Sequence, residues 1–397
     1  MASKKTIEIV KSTAPVLEQH GSTITKVFYK NLFGNHPELK DVFNMTHQKK
    51  GAQQQALANA VFKYACHIDK LELLGDKVET IAQKHASFSI PKEAYPIVGQ
   101  HLLEAIKEVL GEAATPEIIN AWAEAYGDLA TIFVSREEEL YSERENVKGG
   151  FRGSKEFVVT KKVKESDAIT SFYLKRKDGT PVPEFIPGQY VALTMDIPNQ
   201  EHKHTRNYSL SDAPSKDYIR MSVKKEANTP EGIVSNYLHS NINVGDSLHL
   251  GMPSGEFVLK NSDKPLVLIS GGVGVTPLMS MYNSIKKDSG RPVFFVQCAL
   301  NSAVHAFENE IKENLSSVRK SIVVYSEPMD SDKTNKDCHQ GFLTLDILKD
   351  SGITSQSDFY FCGPKPFMQN TLNILKELGV EEEHINFEFF GHKEELV

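Results

Sequence analysis

The spacing of apolar residues changes twice along this chain, and these changes constrain the fold more than any single motif. Over residues 4–141 apolar residues recur at helical spacing. One such run is Val78, Ile81, Ala82, His85 and Phe88. Breaks at Asn35-His36-Pro37, at Ile90-Pro91 and from Gly111 to Pro116 divide this part into several helices. The first third of the chain is therefore predicted to be all helix.

A polar segment with three glycines follows the helical part. Residues 143–155 carry Gly149, Gly150 and Gly153 and predict a linker with a domain boundary near Gly150. Short β-type runs come next, separated by turn signals such as Ile186-Pro187-Gly188. The runs cover residues 157–162, 169–175, 189–195, 218–223 and 247–250. They predict a small antiparallel β-barrel.

From residue 265 the pattern changes to apolar strands that are each followed by a helix. The predicted strand and helix pairs cover residues 266–269 and 278–286, 292–298 and 307–315, and 359–362 and 367–378. Strands that alternate with helices imply a parallel α/β domain. Three domains are thus predicted, over residues 1–148, 151–262 and 263–397, in keeping with about 100–200 residues per domain.

Composition narrows the class of protein. The 397 residues are 40% hydrophobic and 24% charged with a formal net charge of −7, which indicates a globular protein without a nucleic-acid partner. No run approaches the ~18 apolar residues of a membrane helix, and the N-terminal segment lacks the apolar centre of a signal peptide. The cysteines show no C-x-x-C pairing that would indicate a disulfide framework or a zinc site. We expect a cytoplasmic protein with reduced thiols and no membrane span.

Two polar residues of the helical part stand on apolar faces. His85 shares a face with Val78 and Phe88, and Glu137 follows Trp122 and Phe133 at helical spacing, so both are predicted to point inward. A buried carboxylate is costly unless it is paired, and an imidazole that pairs with it can ligate a metal through its other nitrogen. The alternative is a hydrogen-bonded core histidine and a carboxylate at a helix end.

The β region carries three motifs in order. They are Pro187-Gly188-Gln189-Tyr190, Arg206-Asn207-Tyr208-Ser209 and Gly232-Ile233-Val234-Ser235, and the second fits the R-x-Y-S pattern of ferredoxin-reductase-like flavin domains. A guanidinium can clamp a pyrophosphate, and the N–H groups at a helix start can bind phosphate. Tyr208 can pack on a flavin ring with Ser209 near its reactive nitrogen. Each motif alone would more often be structural.

A glycine loop joins strand to helix in the third region. The loop, Gly271-Gly272-Val273-Gly274-Val275-Thr276, suits phosphate binding at a helix N-terminus, although it departs from a strict G-x-G-x-x-G pattern. A tight strand-to-helix turn is the alternative. Downstream, Cys362-Gly363-Pro364 follows a strand, and the chain ends with Phe387-Glu388-Phe389-Phe390-Gly391-His392 before its last residues.

These motifs in this order resemble the flavohaemoglobin family of nitric oxide dioxygenases. Residues 35–60 resemble the family's turn and distal helix, and residues 84–110 resemble its proximal helix and the helix that follows. The resemblance covers residues 4 to about 393. It implies a multidomain fold with an all-α globin domain, an antiparallel β-barrel FAD domain and an α/β parallel-sheet NAD-binding domain.

The resemblance also implies the residues of a haem b pocket. His85 is expected to ligate the iron, Tyr29 and Gln53 to hydrogen-bond the distal ligand, and Leu57 to close the pocket. Phe43 is expected to stack on the porphyrin. Tyr95 and Glu137 are expected to form a hydrogen-bonded group with His85. Such a carboxylate makes the imidazole more anionic and favours oxygen activation over storage.

For the reductase part, the resemblance implies one FAD and one pyridine nucleotide. The expected FAD contacts are Tyr190, Arg206, Asn207, Tyr208, Ser209, Gly232, Val234 and Ser235. The expected nucleotide contacts are Gly271, Gly272, Val273, Gly274, Val275 and Thr276, with Cys362, Gly363 and Pro364 near the nicotinamide. The expected cover of the flavin is formed by Phe389, Phe390, Gly391 and His392, with Phe390 as the covering ring; many members have proline where this chain has His392. Residues 298–301 include no arginine for a 2′-phosphate, which favours NADH, with NADPH as the alternative.

The activity that follows from the resemblance is conversion of NO and O2 to nitrate, with electrons passing from NAD(P)H through FAD and haem. The expected partners are these small molecules, and a monomer is expected. Two alternatives stay open. One is an oxygen-binding sensor or storage globin, and the other is an NADH-driven flavin reductase of other acceptors such as hydroperoxides, quinones or iron chelates.

Overall fold

The structure is a computed structural model that describes residues 2–41, 43, 51–227, 231–285, 290–334 and 338–390. Its N-terminal part is helical, as predicted. The helices are α1 (Lys4–Ser12), α2 (Ala14–Asn35), α3 (Ala52–His67), α4 (Gly75–Ser87), α5 (Ala94–Leu110) and α6 (Pro116–Glu145), with 3₁₀ turns at Pro37–Asp41, Leu71–Leu74 and Gly111–Ala113. The side chains of Ser3 and Thr115 accept hydrogen bonds from first-turn N–H groups and so cap α1 and α6.

The helices enclose an apolar core. Helix α2 packs against α3 and α5, while α4 packs against α6. Phe28, Leu32 and Trp122 are buried at the centre of this core. A second buried cluster joins α4, α5 and α6, and it consists of Ala82, Ala86, Tyr95, Phe133 and Leu140. This second cluster surrounds the position of His85 on α4.

A six-stranded antiparallel sheet follows. Its strands are β1 (Ser154–Lys164), β2 (Ile169–Arg176), β3 (Tyr190–Met195), β4 (His204–Ser209), β5 (Ile219–Lys224) and β6 (Ser247–Gly251), and α7 (Ile233–Asn241) lies between β5 and β6 in sequence. The strand order is β4-β3-β6-β1-β2-β5. An isolated bridge between Leu210 and Met221 joins the two edges of the sheet and closes it. The predicted barrel is confirmed, with β4 as a strand that the apolar pattern did not predict.

The last part is a parallel sheet flanked by helices. Its strands are β7 (Leu266–Gly271), β8 (Val293–Ala299), β9 (Arg319–Tyr325), β10 (Cys338–Gln340), β11 (Asp358–Cys362) and β12 (Ile385–Glu388). Its helices are α8 (Val275–Ser284), α9 (Glu308–Lys312), α10 (Asp330–Lys333), α11 (Leu345–Asp350) and α12 (Lys365–Leu378), with 3₁₀ turns at Gly272–Gly274, Ser302–Val304 and Glu382–His384. Separate apolar clusters cover the two faces of the sheet. The predicted parallel α/β class is confirmed.

The strand order of this sheet locates its binding edge. The order is β10-β9-β8-β7-β11-β12, and the paired strands run parallel. The chain moves from β7 to β8 on one side and later returns to β11 on the other side. Ligands of such sheets bind at the carboxyl ends of the strands where the order reverses. The crevice between β7 and β11 is therefore the expected nucleotide site.

One helix is shorter than the sequence predicted. Helix α9 covers Glu308–Lys312 rather than 307–315, because Phe307 has a φ of 62° and a bridge between Ser316 and Arg319 turns the chain into β9.

Backbone contacts divide the chain into two compact units, one of residues 1–147, 151–154 and 194–206 and one of the other residues. The three domain boundaries stay a prediction. Within the described ranges, none of the helices has the length and apolar character needed to cross a membrane.

Candidate functional site

Three polar side chains from three helices meet in the helical part. His85 lies near the end of α4, Tyr95 at the start of α5 and Glu137 on α6. His85 Nδ1 is 2.9 Å from Glu137 Oε1 and 2.9 Å from the Tyr95 hydroxyl oxygen. The Tyr95 hydroxyl also donates to Glu137 Oε1. We call these three side chains the His85 triad.

The hydrogen bonds of the His85 triad show which of its atoms donate and which accept. Glu137 is 2% exposed, so its carboxylate depends on the two donors that reach it. Burial and the neighbouring Glu137 carboxylate raise the pKa of the Tyr95 hydroxyl well above its ordinary value, which keeps Tyr95 a donor. Because a carboxylate accepts, the proton of a neutral His85 lies on Nδ1 and the lone pair on Nε2. The side chain is 35% exposed, and no described residue hydrogen-bonds Nε2, so this atom can ligate a metal.

Two further contacts hold α4 against α6 around the His85 triad. Arg136 donates to Glu79 through Nε at 2.7 Å and through a terminal nitrogen at 3.1 Å, and Arg144 donates to Gln83 at 2.7 Å. Hydrogen bonding to Arg136 lowers the pKa of the Glu79 carboxyl. These four residues were not predicted from the sequence. No motif marked Arg136 or Arg144 in the sequence, because their partners on α4 become visible only when α4 and α6 are packed.

The residues predicted for the distal side of the haem are Tyr29 on α2, Gln53 and Leu57 on α3, and Phe43 between these helices. Tyr29 is 6% exposed, and its ring centroid is 5.8 Å from that of Phe43. Gln53 and Leu57 lie four residues apart on α3, and Leu57 packs against the core. Gln53 Oε1 is buried and has no hydrogen-bond partner among the described residues. A buried acceptor without a donor is rare in proteins, so a polar group from a ligand fits at this position.

Strand β4 carries the flavin motif. Arg206 and Tyr208 are partly buried and lie on the same side of the strand, while Asn207 is exposed and Ser209 buried. Tyr190 begins β3 and exchanges two backbone hydrogen bonds with Ser254, of 2.9 and 2.8 Å. The structure therefore places the aromatic and the arginine motifs on neighbouring strands of the barrel.

Glycines shape the two turns beside this strand pair. Gly188 has a φ of 106°, and a Cβ there would lie 2.1 Å from the Phe257 carbonyl oxygen, so the turn before β3 requires glycine. Gly232 caps α7, and the Ser235 hydroxyl donates to its carbonyl oxygen at 3.2 Å and accepts from Glu226 N at 3.3 Å. The Ser235 hydroxyl thus holds the helix start. First-turn N–H groups such as that of Val234 have no intrahelical acceptor and remain available to phosphate.

The two predicted nucleotide motifs meet at the end of the parallel sheet. Gly271 ends β7, Gly272–Gly274 form a 3₁₀ turn with Val273, and Val275 and Thr276 begin α8. A Cβ at Gly274 would lie 2.0 Å from the Cys362 carbonyl oxygen, and a Cβ at Gly363 would lie 3.1 Å from Gly271 Cα. Burial raises the pKa of the Cys362 thiol well above its ordinary value. The close approach of these backbones explains the glycines.

The C-terminal aromatic residues are only partly described. Phe389 packs against an apolar cluster of the parallel sheet, and Phe390 is 49% exposed. Gly391 and His392 lie outside the described residues. The role of Phe390 as the cover of the flavin therefore stays a prediction.

Comparisons with known proteins agree with this geometry. The globin family matches residues 26–133, the oxidoreductase FAD-binding domain family matches 156–259, and the oxidoreductase NAD-binding domain family matches 268–373. A flavohemoprotein of Bacillus thuringiensis subsp. konkukian is 51% identical over 398 residues, which cover 98% of each chain. The chain belongs to the flavohemoprotein family. A second flavohemoprotein, from Bacillus subtilis, is 46% identical over 395 residues, with 98% of each chain covered.

Solved structures support the same assignment. The flavohemoglobin of Malassezia yamatoensis, determined with bound FAD and heme, matches with a TM-score of 0.82 at 25% identity and covers 98% of this chain and 99% of its own. The FAD/NAD-binding domain of a nitric oxide dioxygenase from Vibrio cholerae matches with a TM-score of 0.55 at 34% identity, covering 61% of this chain and 100% of its own.

This flavohemoprotein is an NAD(P)H-dependent oxidoreductase in which a globin domain is fused to FAD-binding and NAD-binding domains. The predicted family, fold class and cofactors, namely haem, FAD and NAD(P)H, are confirmed. The buried Gln53 Oε1 without a partner among the described residues, the partly exposed side chain of His85 and the glycine contacts at the sheet edge fit these groups. The roles of individual residues stay predictions.

Replacing Glu137 with glutamine tests the His85 triad. The amide keeps the size of the side chain but accepts less strongly, so the imidazole of His85 becomes less electron-rich. In the haem-loaded protein we expect a lower iron–histidine stretching frequency, a higher haem potential and an activity lower by about 10–100-fold. Resonance Raman spectroscopy, potentiometry and stopped-flow kinetics measure these changes.

Glu138→Gln is a matched control, because Glu138 is the next residue on α6 and its side chain is 57% exposed. It should leave the frequency and potential unchanged. Flavin reduction by NADH should be normal in both variants. An unchanged iron–histidine frequency in Glu137→Gln would make Glu137 a structural carboxylate only.

Replacing Arg206 with alanine tests the flavin motif. Loss of a charge-assisted contact to the pyrophosphate should weaken FAD binding by about 1.5–3 kcal/mol. The measurement is the FAD dissociation constant of the purified chain, obtained from flavin fluorescence on dilution. Arg152→Ala is the control, because Arg152 pairs with the exposed Glu138 instead. Parental FAD affinity in Arg206→Ala would show that Arg206 does not contact the pyrophosphate.

Proposed function

We propose that this flavohemoprotein is a nitric oxide dioxygenase, which uses NAD(P)H to convert NO and O2 into nitrate and thereby removes nitric oxide. The observation that carries the proposal is the His85 triad. A carboxylate that accepts from the iron ligand increases electron density at the metal, which favours oxygen activation and is not needed for reversible oxygen storage. The name of the Vibrio cholerae relative of the reductase part supports the same activity.

In the globin part, each residue of the site has a separate task. His85 Nε2 would hold the iron, while Glu137 and Tyr95 keep the proton on Nδ1 and fix the orientation of the ring. Tyr29 and Gln53 would hydrogen-bond a polar distal ligand. Their neighbours Leu57 and Phe43 would exclude water from it.

In the reductase part, the motifs hold and align two cofactors. Arg206 and the start of α7 would bind the FAD pyrophosphate, and Tyr190, Asn207, Tyr208 and Ser209 would contact the rest of the FAD. The loop over residues 271–276 would bind the pyrophosphate of the pyridine nucleotide, preferably NADH, and residues 362–364 would face the nicotinamide. The bound groups supply hydride donation, its division into single electrons, and oxygen binding at iron. The protein supplies binding, orientation and exclusion of water.

The rate of NADH oxidation in air, with and without NO at equal enzyme concentration, tests the proposal. A nitric oxide dioxygenase oxidises NADH faster when NO is present and consumes the NO. A storage or sensor globin shows slow oxidation that NO does not sustain. A flavin reductase of other acceptors responds to a hydroperoxide, a quinone or an iron chelate and not to NO. Either of the last two results contradicts the proposal. The cytoplasmic location and the monomeric state stay predictions.

A further inference from the structure

Asp212 connects the end of the flavin strand to the helix that follows the glycine loop. It comes shortly after Ser209, the last residue of β4, and is 4% exposed. Its carbonyl oxygen accepts from the Ser280 hydroxyl at 2.8 Å, and its Oδ1 accepts from Asn283 Nδ2 at 2.9 Å. Both donors lie on α8, which begins directly after Gly274. The strand expected to bind FAD and the loop expected to bind the pyridine nucleotide therefore share this contact.

A buried ion pair connects the same two parts a second time. Arg220 on β5 is 2% exposed and donates through two terminal nitrogens to both carboxylate oxygens of Glu310 on α9, at 2.7 and 3.1 Å. Asn283 Nδ2 also donates to Glu310 Oε1 at 2.6 Å, so this amide bridges the two connections. A bidentate arginine–carboxylate pair fixes orientation as well as distance. We call these side chains the reductase contact, which consists of Asp212, Arg220, Ser280, Asn283 and Glu310.

The charges of the reductase contact have partners close by. Although burial opposes ionisation, Arg220 and Lys216 lower the pKa of the Asp212 carboxyl below its ordinary value. Asp212 Oδ2 accepts from Lys216 Nζ at 2.7 Å and from the Tyr218 hydroxyl at 2.8 Å. Separating a buried pair leaves a charge without compensation. A shift of α8 and α9 against the barrel is therefore costly, and the reductase contact holds them in one arrangement.

We propose that the reductase contact positions the nicotinamide against the flavin, which makes Asn283 and Glu310 positioning residues for reduction of FAD by NADH. In that step a hydride moves from nicotinamide C4 to the flavin, which oxidises NADH to NAD⁺ and reduces FAD by two electrons. The rate depends steeply on reactant placement, and a displacement of about 1 Å can cost about 100-fold. The inference rests on the proposed roles of β4 and of the loop over residues 271–276, but it involves no NO chemistry.

Asn283→Ala tests the inference, because it removes the bridging amide and leaves the other bonds of the reductase contact in place. Arg220 still pairs with Glu310. Asp212 Oδ1 still accepts from the Ala213 N–H at 2.8 Å. The variant is therefore expected to fold and to bind FAD. With the full chain loaded with haem and FAD, anaerobic stopped-flow absorbance should show reduction of the flavin by saturating NADH slowed about tenfold.

Two further measurements separate positioning from damage to the fold. The FAD content of Asn283→Ala and its affinity for ADP-ribose, which lacks the nicotinamide, should match those of the parent. The long-wavelength charge-transfer absorbance of the dithionite-reduced chain mixed with NAD⁺ should be weaker than in the parent, because this band requires the nicotinamide to stack on the flavin. This second measurement needs no turnover.

Glu310→Gln should slow flavin reduction by a similar factor. Because Asn283 and Glu310 act through one contact, the double variant should lose less than the product of the two single losses. The control is Asn309→Ala, because Asn309 is exposed on α9 beside Glu310. It should reduce its flavin at the parental rate.

A parental reduction rate or parental charge-transfer absorbance in Asn283→Ala would overturn the inference. A matching loss of FAD or ADP-ribose affinity would also overturn it, since the residue would then only support the fold. A chain that gives the expected results but does not consume NO would refute the proposed dioxygenase activity and leave the positioning role standing.

Discussion

His85→Ala is expected to bind almost no haem while it keeps its FAD. The substitution removes the atom that would hold the iron and leaves only the apolar pocket around it. We expect haem affinity to fall by more than about 100-fold, because loss of an outer hydrogen-bond partner alone costs about 10–100-fold in metal affinity. The haem and flavin contents of the purified variant, measured by absorption after denaturation, give the result directly.

His101→Ala is the matched control for this variant. His101 lies on α5 and is 3% exposed, so it is more deeply buried in the helical part than His85 but does not belong to the His85 triad. The control should retain haem. If His85→Ala instead kept a full complement of haem with the parental spectrum, another residue would be the iron ligand.

Gly274→Ala is expected to slow reduction of the flavin by NADH about 100-fold, because a displacement of about 1 Å in reactant position can cost that much. The new Cβ would lie 2.0 Å from the Cys362 carbonyl oxygen and 2.3 Å from its carbon, which are backbone atoms that cannot rotate away. The glycine loop and the 362–364 motif would therefore move apart. Stopped-flow absorbance of the flavin band after mixing with NADH measures the rate.

Two comparisons show whether the effect is local. Haem and FAD contents of Gly274→Ala should match those of the parent, and dithionite should reduce its flavin normally. Gly127→Ala on α6 adds a Cβ that meets nothing within 4 Å and should leave the rate unchanged. A parental rate in Gly274→Ala would mean that the close contact with Cys362 does not position the nucleotide.

Helical periodicity predicted the inward positions of His85 and Glu137, because the spacing of residues alone decides which side chains share a helix face. Helical periodicity could not predict that Tyr95 contacts Glu137. Its hydroxyl contacts Glu137, 42 positions further along the chain, and only the family resemblance predicted that partner. Arg136 and Arg144 show the same limit, since their partners on α4 depend on how two helices pack.

The strand β4 illustrates a different limit of prediction from sequence. Its sequence from His204 to Ser209 is polar and includes few residues that favour strands, so no apolar alternation marked it. Pairing with β3 makes it a strand. The glycine at position 274 was visible in the sequence, but its contact with Cys362 was not, because parallel pairing of β7 and β11 brings these distant segments together.

Product stoichiometry tests the proposed dioxygenase activity most directly. If the chain is a nitric oxide dioxygenase, two NO and two O2 react with one NADH to give two nitrate ions, NAD⁺ and one proton, so both oxygen atoms of each O2 enter nitrate. NO and O2 electrodes, NADH absorbance and nitrate analysis on one sample of the haem- and FAD-loaded protein measure all four quantities. A nitric oxide dioxygenase consumes equal amounts of NO and O2 and forms two nitrates for each NADH. Nitrite or nitrous oxide as the main product, or NADH oxidation that yields no nitrate, would contradict it.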